Sequence, residues 1–164
     1  MISSEVGLAH VYARQYDQAI EECRKTLEME RNFLLAHLFL GISYAQKGAY
    51  QEAIAEDLVA VSGSGRDPFM LSVLGHAYGA SGNGAAARAI IEELQRASRS
   101  RYISPFSIAQ IYIGLAEKDR AFEWLERAYQ ERTSYLVVLN VYPVFDALRS
   151  DARFADLLQR IGLR

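Results

Sequence analysis

Alanine recurs at Ala19, Ala53, Ala87 and Ala121, each 34 residues after the one before. Tyr44, Tyr78 and Tyr112 keep that interval, and so do Gly41 and Gly75. A fixed period in this range means that one small unit is copied along the chain and that each copy buries its apolar face against the next. The clearest copy is Leu40 to Ala60, which reads as two amphipathic helices joined by a turn at Gly48. Gly41 and Gly75 mark places where a first helix approaches its neighbour closely, with Ala9 and Ala109 doing the same in the outer copies. The recurring alanine serves that purpose on the second helix. Tyr12, Tyr44, Tyr78 and Tyr112 supply broad apolar area with a hydroxyl that reaches the rim.

Leu-Gly-x-x-Tyr in a first helix, a small residue in a second and a 34-residue period together resemble the tetratricopeptide repeat. The resemblance runs over roughly residues 4 to 132. It implies an all-α fold, a right-handed α-solenoid of about four helix–turn–helix repeats followed by capping helices. Placed on the sequence, the repeats cover 4–32, 34–67, 68–101 and 102–135 and the cap 136–164, forming one domain over 1–164.

The first helix is expected to start at a cap formed by Ser3 or Ser4, with Glu5 in its first turn, and to end near Arg14. A helix beginning almost at Met1 suggests a fragment, with further domains or repeats upstream. Tyr12 to Ala19 is seven residues against nine for Tyr44 to Ala53, so the first turn reads as two residues shorter than the others. In the second repeat Asp57 stands where the family usually has Phe. A small rotation of the helix would expose it and pack Ile54, Leu58 and Val61 instead, and a pairing with His76 is the other possibility. Pro68 and Ser104-Pro105 open the third and fourth repeats, and Gly82-Asn83-Gly84 forms a turn. Ala121, Leu125 and Ala128 form the packed stripe of the last repeat, with Glu123 and Arg127 spaced to pair. The tail is expected to form a short helix over Ser134–Leu139, a helical turn after Pro143, and a final helix from Asp151 to about Ile161 that covers the end of the stack.

Half the residues are apolar and the net charge is −2, which argues against a general nucleic-acid or membrane-surface binder. Five Lys/Arg against nine Asp/Glu in residues 1–65 place the acidity in the first half. Arg96, Arg99 and Arg101 lack an aromatic stacking platform and read as a solvated junction. A single cysteine, Cys23, cannot form an internal disulfide and fits a reducing, cytoplasmic setting. No apolar run is long enough to span a bilayer.

Nothing in the chain assembles into catalytic chemistry. The glycine-rich pieces lack the Lys-Ser/Thr of a phosphate loop, and no nucleophile elbow or His-Glu-x-x-His motif occurs. His10 and His76 lie too far apart for one ion, His37 and Cys23 read as packing, and neither metal nor cofactor is expected.

The family resemblance implies that the first helices form a concave surface that takes peptides or helices. By position this groove presents Val6, His10, Leu38, Ile42, Gln46, Ser72, His76, Phe106, Gln110 and Ile113, with Leu35, Phe69 and Ile103 near the entrances. The Lys and Asn clamp with which some relatives grip a C-terminal carboxylate is missing, since its slots hold Val6, His10, Phe39, Phe69 and Val73. The expectation is a non-enzymatic protein–protein interaction module whose partner is a protein or peptide, in trans or from the same parent chain. The alternative is a regulatory or sensor domain of a larger bacterial transcription factor, kinase or cyclase, acting through cis contacts or as a homodimer.

Overall fold

A computed structural model describes residues 2–163, with side chains from Glu5 to Leu163. Among the described residues all regular structure is helical. Four hairpins follow one another: α1 (Ile2–Tyr12) with α2 (Tyr16–Met29), α3 (Leu34–Gln46) with α4 (Tyr50–Gly63), α5 (Pro68–Ala80) with α6 (Gly84–Ala97), and α7 (Pro105–Gly114) with α8 (Lys118–Gln130). Two 3₁₀ turns, Ser134–Val138 and Pro143–Leu148, lead to α9 (Ala152–Arg160). Each first helix packs on the next, α1 on α3, α3 on α5 and α5 on α7, so the first helices form a continuous layer. This is the helical-repeat solenoid that the sequence period implies.

The hairpin turns are identical in length. Every first helix ends four residues before its partner begins, at 12/16, 46/50, 80/84 and 114/118. The amides of Gln15, Ala49, Asn83 and Glu117 each donate to a carbonyl five residues back, on His10, Tyr44, Tyr78 and Tyr112. Such a closure needs one left-handed residue. Arg14, Gly48, Gly82 and Ala116 fill that position, with φ of 59°, 77°, 89° and 59°. The expectation of a shorter first turn is therefore incorrect. It arose from aligning Tyr12 with Tyr44, whereas the turn aligns Tyr44 with His10 and the close-approach glycine Gly41 with Gly7. Ala9 is exposed and Gly7 is buried, with a β-carbon on Gly7 falling 2.9 Å from Cys23 Sγ. Ser3 and Ser4 lie inside α1 rather than ahead of it, and their side chains are outside the described residues.

Other helix starts follow the sequence signals. Asp67 caps α5 by accepting from the amides of Phe69 and Met70, with Pro68 in the first turn. Asn83 caps α6 and Asp151 caps α9. The ion pair expected between Glu123 and Arg127 on α8 is not the one that forms: Glu123 binds Arg120 at 3.0 Å, while Arg127 lies over the Trp124 ring at 4.5 Å. At the far end of the first-helix layer α5 and α7 nearly touch, a β-carbon on Gly79 falling 2.7 Å from the Gly114 carbonyl carbon. That closeness leaves no room for any side chain at Gly79.

α9 continues the layer of second helices. Arg153 binds Asp119 at 2.8 Å and Arg160 binds Glu126 at 2.7 Å, both pairs one 34-residue period apart. The same arginines lie over the rings of Phe122 and Tyr129. Phe154 and Leu157 are buried, so the final helix does cover the end of the stack.

Candidate functional site

Between α8 and α9 the chain does not form a fifth first helix. Instead Thr133–Leu148, here termed the strap, lies against the first helices α5 and α7. Tyr135 stacks on Phe69 and Phe106 with ring centres 5.3 and 5.6 Å apart, and Tyr142 packs on the same two rings. Phe145 lies 4.8 Å from Phe106. Phe69 and Phe106 are the second residues of α5 and α7, so the strap enters at the N-terminal ends of those helices. It then reaches their C-terminal ends, where Pro143, Val144, Asp146 and Ala147 share a cleft of about 240 Å³ with Gln46, His76, Ile113 and Gly114. At its farthest point Asp146 accepts two hydrogen bonds from Arg14, from Nε at 2.9 Å and Nη2 at 2.7 Å.

The expected groove residues are thus largely covered. Leu38, Ile42, Ser72, His76, Phe106, Gln110 and Ile113 are buried, and several form one apolar cluster with Tyr142, Val144, Phe145 and Leu148 of the strap. Gln46 and Phe69 are half-buried and Leu35 is exposed. The hairpin register places Leu8 and Tyr12, rather than Val6 and His10, at the positions matching Ile42 and Gln46. His10 is turned to Gln15, its Nδ1 lying 2.7 Å from Oε1. The residues that sequence reasoning did not assign to this face are the strap itself and Arg14. The apolar run SYLVVLNVY was the available signal, being too apolar for a solvated linker.

Polar groups under the strap are incompletely paired. Gln110 donates to Ser72, which donates to the Phe69 carbonyl, and His76 Nδ1 lies 3.1 Å from the Gln110 carbonyl oxygen. Among the described residues, Gln110 Oε1, the Tyr142 hydroxyl and both oxygens of Asp57 have no hydrogen-bond partner. Burial pushes the Tyr142 hydroxyl well above its usual range, and the Asp57 carboxylate adds to the shift. Asp146 differs: burial raises its carboxyl, but hydrogen bonds from Arg14 and Arg149 outweigh this and hold it below the usual range.

Asp57 keeps the core position. It is 1% exposed whereas Leu58 is 46% exposed, so the expected rotation does not occur. No pairing with His76 forms. Burial, with Glu56 nearby, raises the Asp57 carboxyl well above the usual range. His37 is polar in its contacts, with Nδ1 2.6 Å from Glu56 Oε2. Cys23 is buried and its thiol is pushed up to about 11, first by burial and then by Glu22 and Glu56. Among the described residues no cluster of His, Cys, Asp and Glu is placed to hold a metal ion, and no helix is long and apolar enough to cross a membrane.

Residues 7–69 match the tetratricopeptide repeat family model. The chain is also similar to FK506-binding protein 5 of Rhizopus delemar, at 32% identity over 53 residues, which is 32% of this chain and 14% of that relative. The chain therefore spans about a seventh of that protein's length. The family match runs from the middle of α1 through α4 to the start of α5, and the same hairpin, with the same left-handed turn, occurs twice more in α5–α8. Match and architecture together support a helical-repeat fold of the tetratricopeptide type, a kind of repeat that generally mediates protein–protein interaction.

Proposed function

We propose that the chain is a non-enzymatic protein–protein interaction module, a scaffold or adaptor, that binds an extended segment along the concave face of α1, α3, α5 and α7. The observation that supports this reading is the strap: an apolar, aromatic-bearing stretch of polypeptide packs on the first helices α5 and α7, with Phe69 and Phe106 as its platform. A surface that accommodates one such segment has the shape and chemistry for another. The contact residues are those of the groove, of which Leu35, Gln46 and Phe69, like Val6 and His10, remain accessible.

A panel of fluorescent apolar peptides, titrated into the chain, tests this. Leu38 and Ile42 are unsuitable probes because a charge there would be buried and would unfold the protein. Leu35→Glu and Gln46→Glu keep the charge near solvent. Both should weaken binding at least tenfold, while Glu28→Lys on the second-helix side leaves it unchanged. Binding that ignores the first two substitutions removes the concave face from consideration.

A second reading is favoured by the same strap. A chain that already seats its own segment is built for cis contacts, as in a regulatory domain of a larger protein. Light scattering on the isolated chain, and binding to segments flanking it in its parent protein, separates cis regulation and self-association from recruitment in trans.

A further inference from the structure

The strap is tethered at both ends by contacts that do not involve the concave face. Upstream the chain leaves α8 through Arg132, whose φ of 52° marks a sharp left-handed turn. Downstream α9 is fixed to α8 by the Arg153–Asp119 and Arg160–Glu126 pairs. Within the strap the backbone hydrogen bonds are local, from Leu136 to Thr133, Leu139 to Leu136, Tyr142 to Val138 and Phe145 to Tyr142. None of the backbone hydrogen bonds found among the described residues joins the strap to the first helices. Side chains alone hold it there, so a different segment with the same side-chain chemistry meets the same surface.

The fit is also imperfect. Tyr142 places its hydroxyl where nothing pairs with it, and Gln110 Oε1 is left in the same condition. Tyr135, Val137 and Val141 are 39%, 71% and 40% exposed, so the strap's outer side meets solvent rather than another layer. Leu139, Phe145 and Leu148 are nonetheless buried, and beside this apolar seating stand two polar contacts at the strap's two ends, Ser104 Oγ to Thr133 Oγ1 at 3.0 Å and Arg14 to Asp146. Arg14 holds a left-handed backbone angle at a position where the second and third hairpins have glycine. An arginine is disfavoured there, and its bidentate bond to Asp146 is what it gains.

Resting on the proposed use of the concave face, we propose that the strap is a displaceable intramolecular occupant. The partner that replaces it is a protein segment of the same chemistry: aromatic residues for Phe69 and Phe106, then a carboxylate read by Arg14. The strap thereby lowers the apparent affinity for any such segment by the fraction of time it is closed.

Two measurements test this. In the native chain, hydrogen exchange should show amides of 136–148 opening at least tenfold faster than those of α9, because the strap lifts while α9 stays docked. Exchange of both segments at one common rate overturns the proposal. The second uses a fluorescein-labelled synthetic peptide of residues 133–149 and a copy carrying Asp146→Lys. The full chain with Asp146→Lys should bind the unaltered peptide at least tenfold more tightly than the native chain does. It should also prefer that peptide over the lysine copy, and the Arg14→Glu chain should reverse the preference. Circular dichroism checks that both variants keep native helix content. Equal affinity for native and Asp146→Lys chains, absence of binding to either, or no reversal overturns the proposal. The interaction reading then still stands or falls on Leu35→Glu and Gln46→Glu with the peptide panel.

Discussion

The carboxylate of Asp57 on α4 fills the space that a β-carbon on Gly41 of α3 would need. The positions one period from Asp57 are Cys23 and Ile91, and two periods on is Leu125, all buried, so a carboxylate occupies a slot that elsewhere holds an apolar side chain. Neither of its oxygens is hydrogen-bonded. Burial without a partner disfavours the charged form, which is why the carboxyl is held protonated well above the usual range.

Stability should therefore fall as pH rises above the ordinary carboxyl range toward the raised folded value of Asp57. The folded state binds a proton that the unfolded chain, with an ordinary carboxyl near about 4, has already lost. The contribution is complete below that ordinary value and declines at about 1.4 kcal/mol per pH unit until the raised folded value is passed. Asp57→Ile, which copies Ile91, should stabilise by about 1–3 kcal/mol at pH 7.5 and by less at pH 5. Urea denaturation of both proteins at the two pH values measures this. A gain that does not depend on pH would mean that Asp57 is not protonated in the fold.

Gly41→Ala should cost about 1–3 kcal/mol, because the added methyl overlaps the Asp57 carboxylate. In an Asp57→Ala background the same substitution should be close to neutral, or slightly favourable from helix propensity. A double-mutant cycle with a coupling below about 0.5 kcal/mol would show that the α3–α4 contact relaxes freely.

The period was legible in the sequence because the residues that set it act through backbone approach and turn geometry, which tolerate few side chains. Gly41, Gly75 and the alanine series had to be small, and the hairpin count follows from them. The register of the first hairpin was misread because its left-handed residue is Arg14, and arginine gives no sign of a positive φ, whereas Gly48 and Gly82 do. The strap's composition was visible in SYLVVLNVY, but its seat was not. That seat depends on Phe69 and Phe106 standing side by side, and it depends on Arg14 facing Asp146 across 132 residues of sequence. The fate of Asp57 was equally a tertiary matter: rotating α4 to bury Leu58 would have displaced Ala53 and Ala60, both fully buried.

Ala116 holds the left-handed turn of the last hairpin at φ 59°. Ala116→Gly should stabilise by about 0.5–1 kcal/mol, the backbone relief exceeding the added flexibility of the unfolded chain. Arg14 occupies the equivalent turn but also binds Asp146, and both side chains are about one-third exposed. Arg14→Ala should cost about 0.5–1 kcal/mol after solvent screening, and Arg14→Gly should recover most of that loss. Thermal denaturation at low salt orders the three variants. Arg14→Gly falling below Arg14→Ala would contradict the turn geometry.

Cys23 lies against Gly7 in the α1–α2 contact, with a thiol pushed up to about 11. Since the thiolate is the reactive form, modification by a disulfide reagent at pH 8 should be slower in the folded chain than in urea by at least roughly a hundredfold. Rapid modification of the folded chain would show that α1 opens from α2 on the timescale of the assay.

Tyr142 supplies the last and most local test of how the strap is held. Its ring is gripped by Phe69 and Phe106, but its hydroxyl is buried with no partner among the described residues and lies within electrostatic range of Asp57. Tyr142→Phe keeps the ring contacts and removes the unpaired group, so it should stabilise the chain by about 1 kcal/mol. Tyr142→Ala removes the ring as well and should cost about 3–5 kcal/mol if the strap stays docked around the cavity, or less if the strap releases. Hydrogen exchange of residues 136–148 in Tyr142→Ala distinguishes the two outcomes: protection retained means a cavity, protection lost means an open groove. Destabilisation by Tyr142→Phe would mean that the hydroxyl is paired in solution and that the strap fits its seat better than its polar atoms indicate.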